Sequence, residues 1–142
     1  MTLITKVCLS LAAVGPLVVG VLYLKEQRFL SGHLAILGTK WSEVPERHQF
    51  LLRSFEQGIG LSLVVVGIAT LPLAHSPLSK SGIWAAGIAT VFGLAVLLPP
   101  ARAGFVAKKR WDVPIPWQAS LIFAALYVAA LIAEIAVLVL NV

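Results

Sequence analysis

Four stretches of this chain are apolar almost without interruption, and three more polar stretches divide them. The apolar runs fall near Leu3 to Leu24, Phe50 to Ala74, Gly82 to Leu98 and Pro116 to Leu140. Each is close to the roughly 20 residues a helix needs to cross a hydrocarbon core. The pattern predicts an all-α, integral membrane four-helix bundle, one domain over residues 1–142. Breaks are written into it. Gly15-Pro16 falls inside the first run and predicts a kink, because proline removes a backbone donor and crowds the preceding turn. Pro99-Pro100 is expected to stop the third run, with ARAGFVAKKRW lying afterwards along the membrane surface.

The second run has polar residues at its start, LLRSFEQGIGLS. Arg53 near a membrane boundary can reach outward at modest cost. Glu56 lies deeper, and its face of the helix continues through Gly60 to Gly67, beside a second stripe of Ser54, Gly58 and Ser62. Small residues at helical spacing let another helix approach closely. Glu56 is therefore expected to point into the bundle, with Ala85, Ala89 and Gly93 of the third run as the matching face.

Between the first two runs lies LKEQRFLSGHLAILGTKWSEVPERHQ. FLSGHLAIL is too short to cross and apolar enough to be an interfacial or re-entrant segment, and Gly38-Thr39 breaks it. Ser42, Glu43 and Pro45 read as a helix start: a serine cap, an early acid, and a proline where no amide donor is required. A helix from Glu43 to Ala74 would be roughly 48 Å long, more than a core of about 30 Å holds, so its first turns are expected to project from the membrane.

Composition agrees with the pattern. Of 142 residues, 59% are hydrophobic and 12% charged, against about a quarter charged in a soluble domain. The net charge of +5 is distributed by side. Lys25, Arg28, Lys40, Arg47, Arg53, Arg102, Lys108, Lys109 and Arg110 fall on one side of the predicted spans, and only Lys6 and Lys80 on the other. Basic residues are retained in the cytoplasm during insertion, which predicts both termini outside and the long loops in the cytoplasm. Trp41, Trp111 and Trp117 then mark the inner interface and Trp84 the outer one. KKRW is too short a run to suggest nucleic-acid binding. The lone Cys8 excludes an internal disulfide and any multi-cysteine metal site.

The candidate chemistry is sparse. His33, Glu43, Glu46, Arg47, His48, Arg53, Glu56 and Gln57 cluster toward the cytoplasmic side, where Glu43 and Arg47 are four apart and can pair on a helix. As a reactive group, Glu56 would be the acid or base, with Arg53 and His48 tuning it. The same residues also read as an interfacial helix end tied by its own ion pairs. His33, Trp41, Gln57, Tyr127 and Glu134 are the candidate ligand-binding residues. Glu134 lies toward the outer face with Lys6 at comparable depth as its expected partner; intramembrane acids also serve as proton carriers. Haem bundles want histidines inside the spans, whereas His33, His48 and His75 fall in loops or near span ends. No Glu-x-x-His pair, Gly-rich phosphate loop or Gly-x-Ser-x-Gly elbow occurs, and the first span lacks the acid of small multidrug transporters. No cofactor is indicated.

The run GHLAILGTKWSEVPERHQFLLRSFEQGIGLSL, followed by a glycine-containing apolar span, resembles a group of small bacterial four-span proteins without an assigned activity. The resemblance covers about half the chain and implies the architecture and a bacterial inner-membrane location, but no function. Three readings remain. The first is a non-enzymatic membrane protein, either an accessory subunit in a larger complex or homo-oligomer, or a binder of a lipid or quinone-like molecule. The second is a small membrane enzyme acting on an apolar substrate through Glu56. The third is a proton-coupled carrier using Glu134.

Overall fold

A computed structural model describes residues 1–25, 34–36, 38–75, 82–112 and 117–140. The described residues form an all-helical structure with four long helices: α1 (Leu3–Lys25), α2 (Glu46–His75), α3 (Gly82–Trp111) and α4 (Trp117–Leu140). All four are long and apolar enough to cross a membrane. They alternate in direction. α1 packs most extensively on α2, α3 on α4, and α1 also on α4, while the α2–α3 seam is thinner. One end of the bundle carries Met1, His75 and Gly82; the other carries Lys25, Glu46, Trp111 and Trp117 and is called the basic end below.

The interior is built from small residues. Ala12, Ala13, Ala85, Ala86, Ala89, Ala124 and Ala130 are buried, while Leu3, Leu11, Phe55, Val91, Ile132 and Leu138 point outward. Helices packed through such residues come close enough for backbone contact. A Cβ on Gly20 would lie 2.6 Å from the Gly60 carbonyl oxygen, and one on Gly67 would lie 3.0 Å from the Ala13 carbonyl oxygen. The glycine face of α2 thus packs on α1, not on the alanine face of α3 as expected. Gly93 of α3 instead receives the ring of Tyr127, which comes within 2.6 Å of where a Cβ would be. The second stripe of α2 stays outside: nothing lies within 4 Å of a Cβ on Gly58, and Ser54 and Ser62 donate to carbonyls one turn back on their own helix.

Local signals set the helix ends. Thr2 caps α1, its hydroxyl accepting the Thr5 amide at 3.0 Å. Gly38, at φ 64°, donates to the Leu34 carbonyl and closes the helical turn at 34–36, as a left-handed residue after a helix does. The start expected at Ser42 is instead a 3-10 turn, Trp41–Glu43, and α2 begins at Glu46. Glu43 turns back to accept from Thr39 Oγ1 at 3.0 Å and the Lys40 amide at 3.4 Å, which takes it off the helix and out of register with Arg47. The Pro45 carbonyl accepts the His48 and Gln49 amides, and the Gln49 side chain donates to the carbonyls of Trp41 and Val44. At 30 residues, α2 is about 45 Å long.

The largest departure from expectation is α3. It does not stop at Pro99-Pro100 but runs through both to Trp111, 30 residues in all. The two prolines deprive the carbonyls of Ala95 and Val96 of their usual donors. Beyond them Ala101, Gly104 and Ala107 remain buried at three-residue spacing, so packing of that face carries the helix onward. Asp112, at φ 54°, ends it, its amide donating to the Lys108 carbonyl at 3.0 Å.

Candidate functional site

The extension of α3 past its prolines runs beside the start of α4, and an open groove of about 1140 Å³ lies there. Its apolar floor includes Leu98, Pro99, Ala101 and Leu121. Phe105 and Trp117 form a wall, their rings meeting edge-on with centroids 5.3 Å apart. Ile36 contributes from the segment preceding α2, and Trp111 and Arg102 complete the lining. The groove exists because Ala101, Ala103 and Ala107 are small where the aromatic pair props α3 against α4. Arg102 is 20 residues beyond Gly82, about 30 Å along the helix.

The charge around this groove is one-sided. Lys108, Lys109 and Arg110 occupy the last turn of α3. Arg110 lies over the Trp111 ring, 5.3 Å from its centroid. Lys108 is hydrogen-bonded to Asp112 and holds that carboxyl below the usual carboxylate range, through the hydrogen bond first and the adjacent positive charge second. Arg102 has no hydrogen bond or ion pair to any described residue.

The residues proposed from sequence as a reactive cluster are not gathered into one. Glu56 is buried, 4% exposed, as expected of a residue pointing inward. On the same face of α2, one turn farther along, Gly60 is covered by Tyr23 of α1. Arg53 forms no ion pair with Glu56. With Glu46, Gln49 and Gln57 it lines a shallow polar cleft of about 410 Å³ whose described walls all belong to α2. His48 is exposed and lies eight residues from Glu56, about 12 Å along the helix axis. Gln57 is exposed and Trp41 half-buried. His33 and the segment preceding Leu34 lie outside the described residues.

Tyr127 and Glu134, the other candidate ligand residues, are engaged internally. Tyr127 is fully buried and borders neither cleft. Its hydroxyl is 3.0 Å from Thr70 Oγ1, and Thr70 donates its own proton to the Val66 carbonyl, which makes Tyr127 the donor. Thr90 Oγ1 donates to the Tyr127 carbonyl at 2.9 Å, so three helices are stitched at one level. Glu134, 7% exposed, accepts the Thr2 amide at 2.7 Å. Its carboxylate packs against Gly82, where any Cβ would collide with it. No ion pair links it to Lys6. The nearby Thr5 hydroxyl donates to the Ala130 carbonyl at 3.4 Å.

Sequence reasoning missed the α3–α4 groove because it ended α3 at the prolines. The signal was present: small residues at Ala101, Gly104 and Ala107 continue the helical spacing beyond Pro100, with Phe105 and Trp117 placed to meet. No family model, curated protein or solved structure matches the chain.

Proposed function

We propose that this chain is a non-enzymatic integral protein of a bacterial inner membrane that holds an amphiphile, a lipid or quinone-like molecule, in the α3–α4 groove. The groove carries the reading: it is concave, apolar along its floor and flanked by aromatic rings, the usual character of a small-molecule site. The inside-out distribution of side chains supports insertion, since a bilayer removes the penalty on outward Leu, Ile and Val. The distribution of lysine and arginine supports both termini outside, with the basic end in the cytoplasm. In that orientation, with Gly82 at the outer boundary, Arg102 falls at the inner boundary of a core about 30 Å thick, and the groove spans hydrocarbon and headgroup levels of the inner leaflet.

The test is photocrosslinking in native membranes with a lipid carrying a photoactivatable acyl chain, followed by peptide mapping. Adducts should concentrate on Leu98, Ala103, Phe105 and Leu121. Labelling spread evenly over outward residues such as Val91, Phe92 and Ile132 would mean that the groove is ordinary lipid-facing surface.

A further inference from the structure

We infer that the occupant of the groove is an anionic phospholipid whose phosphate is held by Arg102; this rests on the reading of the groove as an amphiphile site. The apolar floor alone would accept any chain. What discriminates is the charge around it. Arg102 lines the groove without a partner among the described residues. Lys109 and Arg110 add two further cations in the last turn of the same helix. Among the described residues no acid lines the groove, and Glu46, at the same end of the bundle, lies in the separate cleft along α2. Asp112 is taken by Lys108, and Glu43 is turned toward Thr39 and the Lys40 amide. The described part of α4 carries no acid before Glu134, at the opposite end of the bundle.

Guanidinium groups suit phosphate because their planar fork offers parallel donors to two of its oxygens. A neutral quinone head would leave Arg102 without a counter-charge beside an apolar wall. A zwitterionic head would bring its own cation toward Arg102, the one basic side chain among the described residues that lines the groove, and toward the basic last turn beyond it. The depth is also appropriate. Leu98, one turn before Arg102 on the hydrocarbon side, and Leu121 on α4 supply contacts for the first part of an acyl chain. Phe105 and Trp117, one turn farther out, are where interfacial aromatics belong.

The experiment uses the full chain in neutral detergent micelles with Trp41→Phe and Trp84→Phe, so that only Trp111 and Trp117 emit. Phosphatidylglycerol and phosphatidylcholine, each with the same brominated acyl chains, are titrated separately, and quenching is followed at low and high salt. The anionic lipid should quench saturably at about one lipid per protein and at lower concentration than the zwitterionic one. Arg102→Gln should weaken phosphatidylglycerol by roughly fivefold, the usual contribution of one basic residue near a lipid surface, and weaken phosphatidylcholine, whose phosphate is offset by its own ammonium, by less. Arg102→Lys should retain part of the preference, and circular dichroism should show the same helicity for all variants. Equal saturable quenching by both lipids, or a preference unaffected by Arg102→Gln, would overturn the anionic assignment while leaving the groove as an amphiphile site. Absence of saturable quenching by either lipid would overturn the site itself.

Discussion

Replacing Gly20 with alanine adds one methyl group at the closest approach of α1 and α2. The new Cβ would meet the Gly60 carbonyl oxygen at 2.6 Å, Val64 Cγ2 at 2.8 Å and the Val64 amide nitrogen at 2.9 Å. Two of these three atoms are backbone and cannot rotate away, so the helices must separate by several tenths of an ångström. Overpacking of this kind costs about 1–3 kcal/mol. The same change at Gly58, where nothing lies within 4 Å, meets no obstacle and gains up to about 1 kcal/mol of helix propensity. Propensity favours alanine at both positions, so the two variants should differ by the overpacking cost alone, about 2 kcal/mol at its mid-range, roughly a 30-fold shift in the folding equilibrium. Reversible unfolding in mixed micelles with increasing sodium dodecyl sulfate, followed by circular dichroism, reads the difference directly. If Gly20→Ala unfolds at the same denaturant fraction as Gly58→Ala, or later, the glycine seam between α1 and α2 is not the contact described.

The same assay should separate two roles of Glu134. Glu134→Gln keeps a carbonyl acceptor for the Thr2 amide and should be tolerated, whereas Glu134→Leu strands that amide and should cost about 1–3 kcal/mol. Tyr127→Phe removes one donor to Thr70 but leaves the ring over Gly93, so a loss of only about 0.6 kcal/mol is expected; a loss of several times that would mean the hydroxyl anchors more than Thr70. Asp112 is the only aspartate in the chain, so a single ¹³C resonance reports its titration. Lys108 lowers its folded-state pKa, and a carboxyl lowered on folding stabilises above its unfolded pKa of about 3.9, losing that contribution as pH falls through the folded value. The resonance should accordingly titrate below the ordinary range and move back toward it with added salt or in Lys108→Gln. An ordinary titration would show that the pair does not persist in solution.

Helix number and character were legible in the sequence because long apolar runs have few alternatives. The inward turn of Glu56 was legible too, since Gly60 and Gly67 mark its face. Which helix would meet that face was not. Ala13 and Gly20 on α1 and Ala85, Ala89 and Gly93 on α3 offer similar small surfaces, and only the assembled bundle shows Gly93 already committed to Tyr127. The sequence points to Lys6 as the partner for Glu134 because charges are visible in a sequence, whereas the Thr2 amide that serves instead carries no sequence mark. Pro99-Pro100 misled for a related reason. Proline rules describe the local loss of two donors, while continuation of α3 depends on the packing of Ala101, Gly104 and Ala107. The candidate site followed from that continuation and was hidden with it.

The most direct test is native mass spectrometry of the gently extracted protein and of Ala103→Phe, which fills the groove from a position already at its surface. The wild type should retain one amphiphile per chain, and the filled variant should lose it while remaining folded. A wild type that carries instead a stoichiometric protein partner and no amphiphile, or an Ala103→Phe variant that retains the amphiphile undiminished, would contradict the account.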